Sequence, residues 1–115
     1  MDDPLSDAAF HVLLAVADRD RHGYEIMQLI DREPGMAGRV GTTTLYRTIR
    51  QLLALGLVVE SERRPEPGDD QRRRYYGITG AGRKAAQAEI ERLRQRLAAA
   101  EATSLAGART PRLAH

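Results

Sequence analysis

Gly41-Thr-Thr-Thr-Leu-Tyr-Arg-Thr-Ile-Arg-Gln-Leu-Leu-Ala-Leu-Gly56 decides the fold. At 100° per residue, Leu45, Ile49, Leu52 and Leu53 fall on one side of a helix over about 43–55, while Thr43, Arg47, Arg50, Gln51 and Ala54 fall on the other. Thr42 or Thr43 is the expected N-cap, and Gly56 stands where a left-handed C-terminal residue is wanted. The outer face therefore carries side chains that bond bases or phosphates, and Ala54 is small enough for close approach. The stretch after it, Leu57 to Arg63, alternates roughly and reads as a strand. Pro65-Glu-Pro-Gly-Asp-Asp70 is dense in turn formers, and Arg72 to Ile78 reads as the return strand. Alternation along that strand sends Arg72 and Arg74 to one face and Arg73 to the other, with Tyr75 and Tyr76 read as packing groups. Helix, strand, turn, basic strand is the order of a winged helix-turn-helix, in which a helix enters the DNA major groove and the wing meets the backbone or a minor groove. The competing reading pairs the wing arginines with Glu60, Glu62, Glu66, Asp69 and Asp70 to solubilise an exposed edge.

Charge supports a polyanionic partner once it is divided along the chain. The 115 residues carry a formal charge of only +2. Residues 1–38 nevertheless hold eight acidic against three basic side chains, and residues 39–74 hold eight arginines against five acids. The basic surface is local, which fits contact with a nucleic acid. All but one of the 18 basic residues are arginine, a bias that suits bidentate guanine and phosphate contacts and that a GC-rich genome also produces.

Three more helices frame this region. Ser6 is a candidate N-cap for a helix to about Asp18, whose broad apolar surface (Ala9, Phe10, Val12, Leu13, Leu14, Val16, Ala17) marks it as a core or dimer element. After a charged turn at residues 18–22, Ile26, Leu29 and Ile30 give a second helix that stops at Pro34-Gly35, followed by a glycine-rich loop to Gly41. Thr79 is the expected cap of a last helix to about Ala100. Its apolar positions Ala86, Ile90, Leu93, Leu97 and Ala100 alternate in spacings of four and three, a coiled-coil seam of about two heptads. So short a seam needs a second surface, which the excess apolar face of the first helix offers. The expected division is a winged helix-turn-helix over residues 1–79, a dimerisation helix over 80–102 and an unstructured tail over 103–115. Phe10, Leu13, Leu14, Ala86, Ile90, Leu93 and Leu97 are the expected dimer contacts.

Other function classes find little support. The absence of cysteine excludes disulfides and thiolate metal sites. His11, His22 and His115 lack ligand spacing, so neither a metal nor a cofactor is expected; His22 reads as a turn or cap residue and Glu25 as a partner for an arginine. Gly80-Ala-Gly82 lacks the rest of a nucleotide fingerprint, and an enzyme is not expected. No apolar run approaches the ~20 residues of a membrane span, and Met-Asp-Asp is not a signal peptide, so the expected location is the cytoplasm.

The chain also resembles the PadR family of transcriptional regulators. His22-Gly23-Tyr24-Glu25-Ile26 is similar to that family's HGYEI signature, Gly41-Thr-Thr-Thr-Leu45-Tyr46 with Leu52 and Gly56-Leu57-Val58 to its recognition helix, and Arg73-Arg74-Tyr75-Tyr76-Gly77-Ile78-Thr79-Gly80-Ala81-Gly82-Arg83 to its wing and final-helix entry. The resemblance covers residues from about 5 to 100. It implies a bacterial homodimer on palindromic operator double-stranded DNA, usually a repressor, with a C-terminal dimerisation helix and with Tyr46 and the neighbouring threonines at the DNA-facing start of the recognition helix. Arg47 stands where the family often has proline, and the single C-terminal helix places the chain in the short subgroup. The DNA-binding residues expected from pattern and resemblance together are Thr42, Thr43, Thr44, Tyr46, Arg47, Arg50, Gln51, Arg63, Arg64, Arg72, Arg73 and Arg74. Relatives that sense planar aromatic compounds do so at the dimer interface, where Phe10, Leu13, Leu14, Leu93 and Leu97 are the candidate lining for a small-molecule effector; the same residues also read as plain core. An alternative function from a different class is a winged-helix module whose basic wing docks an acidic protein.

Overall fold

Ser6 starts the first helix as the sequence predicts: its hydroxyl accepts the Ala9 N–H at 3.1 Å. In the computed structural model, which describes residues 5–62 and 73–105, this is α1 (Asp7–Ala15), followed by β1 (Arg21–His22), α2 (Gly23–Arg32), α3 (Thr42–Ala54), β2 (Val58–Glu60), β3 (Tyr75–Ile78) and α4 (Gly80–Glu101). Val12 and Leu13 of α1 and its C-cap Val16 are buried in one core cluster with Ile26 and Ile30 of α2 and Leu45, Ile49 and Leu52 of α3. Each such side chain contributes about 1.5–3 kcal/mol by leaving water. The helix ends short of Asp18. Arg21 Nε donates to the Ala15 carbonyl at 2.7 Å, an acceptor that the helix end leaves open, and Arg83 Nη2 to the Ala17 carbonyl in the turn that follows at 2.8 Å.

The sheet is larger than a hairpin. Its strand order is β1-β3-β2, all antiparallel, with Arg21 opposite Tyr76, His22 opposite Tyr75 and Glu60 opposite Tyr76. Residues 21 and 22, read from sequence as part of a charged turn, form an edge strand instead. Two residues carry too little pattern to announce a strand; pairing with β3 makes them one. Tyr75 and Tyr76 are both buried, as packing groups should be.

Two joints fix α3. At its start the N-cap is Gly41, and no side chain caps it, which corrects the expectation of a Thr42 or Thr43 cap: both threonines lie inside the first turn with their side chains exposed. At its end Gly56 takes φ +75°, and the Leu57 N–H reaches the Leu52 carbonyl (2.9 Å) while the Gly56 N–H reaches that of Leu53 (3.1 Å). This is a Schellman closure, and it needs a residue tolerant of the left-handed region. Thr79 then ties α3 to α4. Its hydroxyl donates to the Gly56 carbonyl at 2.6 Å and accepts the Gly82 N–H at 2.9 Å as the cap of α4.

Candidate nucleic-acid interface

The exposed side of α3 matches the pattern drawn from periodicity. Thr42, Thr43, Arg47, Arg50, Gln51 and Ala54 are exposed, Tyr46 is 39% exposed, and Leu45, Ile49 and Leu52 are buried. Thr44 is half-buried and Leu53 is partly covered at the edge of the core. Thr48, which the sequence reading did not place, is buried among the leucines; its spacing of three from Leu45 and four from Leu52 was the available signal. Among the described residues, the side chains of Arg47, Arg50 and Gln51 make no hydrogen bond or ion pair within the chain. A row of unengaged donors on a rigid helix is what base-edge and phosphate contacts require.

The wing arginines behave differently from one another. Arg63, Arg64 and Arg72 lie outside the described residues. Arg74 Nη1 sits 2.8 Å from Glu60 Oε2 in an exposed ion pair, one of the pairings that the competing reading names. Arg73 Nη1 sits 3.1 Å from His22 Nε2, and its guanidinium lies 5.9 Å over the Tyr24 ring. Both residues precede β3, and both line the same cleft, so strand alternation does not separate them as expected.

That cleft, about 430 Å³, is lined by His22, Gly23, Tyr24, Tyr46, Arg73, Arg74 and Tyr76. His22 is built in at its floor: Nδ1 accepts the Glu25 N–H (3.2 Å) while Glu25 Oε1 accepts the His22 N–H (3.1 Å), a reciprocal cap at the start of α2. The cap role predicted for His22 is therefore met, and Glu25 also faces Arg19 at 3.4 Å, the arginine partner expected for it. The His22 ring stacks on Tyr24 (centroids 6.4 Å apart) and meets Tyr75 edge-on (5.2 Å). A side chain on Gly23 would have to displace the Tyr46 ring, whose hydroxyl occupies the place a Cβ would take. Burial raises the Tyr76 phenol above its ordinary pKa, with Glu60 and Tyr46 adding to the effect and Arg74 opposing it; Tyr76 stays neutral near pH 7.

The family model for the Transcriptional regulator PadR-like family matches residues 12–88. This chain belongs to the PadR-like family of transcriptional regulators. The matched span runs from α1 through the sheet into α4 and includes every cleft residue. A transcriptional regulator of Mycobacterium tuberculosis, Rv3488, is 39% identical over 75 residues, covering 65% of this chain and 64% of that protein. Among solved structures, a PadR family transcription regulator of Clostridium difficile is similar at a TM-score of 0.69 and 18% identity, over 82% of this chain and 94% of that one. A transcriptional regulator of Clostridium thermocellum is similar at 0.68 and 22%, over 84% and 95%. The fold they share with this chain is the winged helix.

The residues expected at a dimer contact divide in two. Leu13 and Ala86 are buried within the chain at 0% and 8% exposure, and so have no surface left for a second copy. Both are core, reached by α1 and the first turns of α4 packing together. Phe10 and Ile90 are half-buried, and Leu14, Leu93 and Leu97 are exposed. Leu13 is likewise lost to the candidate effector lining. A smaller recess of about 160 Å³ beside Leu14 is walled instead by Ala15, Asp18, Arg21, Leu29, Ile30 and Glu33. Among the described residues no group of three metal-ligating side chains is brought together, and no helix is long and apolar enough to cross a membrane.

Proposed function

We propose that the protein is a homodimeric, sequence-specific DNA-binding regulator that represses genes near its own. The observation that carries the reading is the unengaged polar face of α3, continuous through Tyr46 with the arginine-lined cleft at the wing. In this reading residues 1–79 are the DNA-reading unit. Helix α3 enters the major groove, Thr43, Thr44, Arg47, Arg50 and Gln51 meet bases or backbone, and Arg63, Arg64 and Arg72 to Arg74 hold flanking phosphates. Residues 80–102 join two copies through Ile90, Leu93 and Leu97, with Phe10 and Leu14 of α1 alongside. Two-fold symmetry then sets half-sites about one helical turn, ~10 bp, apart or a multiple of it.

Fluorescence anisotropy on the gene's upstream DNA and on a scrambled duplex, across a salt series, tests the proposal. The expected result is a preference of about 10³-fold or more for the upstream fragment, with log affinity falling linearly in log salt. Absence of binding to either duplex at low salt would instead favour the winged-helix module that docks an acidic protein.

A further inference from the structure

Gly80 and Gly82 both lie in the first turn of α4, and the packing around them treats them differently. A Cβ on Gly80 would meet nothing within 4 Å, whereas a Cβ on Gly82 would fall on the Leu57 carbonyl oxygen and against Ile78 Cγ1. The main obstacle at Gly82 is backbone, which cannot swing aside as the end of a side chain can. That carbonyl is also tied down, because it accepts the Thr79 N–H at 3.1 Å, and the Thr79 hydroxyl holds the neighbouring Gly56 carbonyl at 2.6 Å. Helix α4 therefore leaves the end of α3 with its first turn in backbone contact. Its next turns are attached in sequence: Arg83 to the Ala17 carbonyl, Ala86 in the core and Glu89 to the Leu5 N–H. Beyond Glu89 it carries the exposed Leu93 and Leu97. From Gly82 to Leu93 the helix advances about 16 Å, so a small change of direction at Gly82 grows along it.

We infer that Gly82 is a specificity determinant for operator spacing: the side chain it lacks lets α4 lie on Leu57 at one angle to α3, and that angle sets the separation of the two half-sites. The inference rests on the DNA-binding dimer proposed above and deepens it. Arg47, Arg50 and Gln51 choose the bases within a half-site; Gly82, buried and remote from the polar face of α3, chooses how far apart the half-sites stand. Thr79 acts with it as a positioning residue, since its hydroxyl ties the same joint.

The chain has no cysteine, so one introduced thiol per protomer takes a spin label cleanly. Leu55→Cys puts the label at the end of α3, where Leu55 is 68% exposed. Pulsed electron resonance then reads the distance between the two labels of the free dimer. Gly82→Ala is expected to move that distance by about 3 Å, the rise of one base pair, and Gly80→Ala to leave it in place. A duplex is next selected from a random library by the unmodified protein, and its half-sites are reset at every spacer length. The preferred spacer should shift by about one base pair in Gly82→Ala alone, with affinity for a single half-site kept within about twofold. A folded Gly82→Ala dimer with an unmoved distance or spacer overturns the inference and leaves DNA binding standing, as does an equal shift in Gly80→Ala. If Gly82→Ala does not fold, Thr79 decides: Thr79→Val should broaden both the distance and the spacer preference, and Thr79→Ser, which keeps the hydroxyl, should restore them. Thr79→Val indistinguishable from the unmodified protein overturns the inference. No distance between labels in the Leu55→Cys background removes the dimer, and no selected duplex removes the DNA reading; either result sinks the proposed function and this inference with it.

Discussion

Helices α3 and α4 are both amphipathic, but only one of them finishes its packing inside the chain. Leu45, Ile49 and Leu52 of α3 are each at most 2% exposed, whereas Leu93 and Leu97 of α4 are 38% and 59% exposed. What α3 leaves outside is mainly polar; α4 leaves Leu93 and Leu97 outside among its charged residues. The first helix is therefore ready for a charged, hydrated surface, and the second for another apolar one. The contrast teaches that a hydrophobic stripe by itself says nothing about whose surface covers it.

Substitutions should split along that line. The largest effect is expected from Leu52→Ala, which empties a filled site under α3: a loss of about 2–5 kcal/mol, read as a lower urea midpoint. Leu97→Asp should leave the protomer's far-ultraviolet circular dichroism and folding midpoint nearly unchanged. It should abolish the dimer in sedimentation, and with it about 10²-fold of the affinity for a duplex carrying both half-sites. A protomer that unfolds instead would show that α4 is covered by its own chain, and the comparison would collapse. Next in size, Arg47→Ala is expected to cost roughly 1–3 kcal/mol of specific binding and to relax preference at one base position, with folding untouched. Equal losses on selected and random DNA would reduce Arg47 to a phosphate contact.

The smallest effect belongs to the middle of α4. Glu89 is buried there, accepting from the Leu5 N–H at 3.4 Å and from Arg92 Nη2 at 2.7 Å. The Arg92 hydrogen bond holds its carboxyl below the usual glutamate range, with burial working the other way and the Leu5 N–H and nearby arginines adding to the lowering. A depressed carboxyl stabilises the fold above the unfolded-state pKa, and that contribution disappears as pH falls through the lowered value. Glu89→Gln should therefore cost of order 0.5 kcal/mol at pH 7, as expected for a helix ion pair, and flatten the acid side of a stability-against-pH curve. Thermal melts between pH 2 and pH 7 would show it.

How much of this was legible depended on how far the signal extended along the chain. The face of α3 was readable because thirteen residues repeat one period and Gly56 closes them. The strand at Arg21–His22 was not, because it exists only through β3. The seam in α4 was seen but not its division, since heptad spacing treats Ala86, which meets the chain's own core, and Leu97, which does not, as equals. The cleft was the least visible. Its parts sit at residues 22–24, 46 and 73–76, and no local pattern connects a glycine in one segment with a tyrosine ring from another.

The Thr79 hydroxyl bridges the last carbonyl region of α3 and the first turn of α4. In a pair joined through α4, this makes the two helices arms of one lever with a pinned elbow. On the proposed DNA-binding reading, the distance between reading heads would then be a property of arm length and elbow angle, so a change of operator spacing would call for lengthening or re-registering α4, while a change of operator sequence would call only for new side chains on α3.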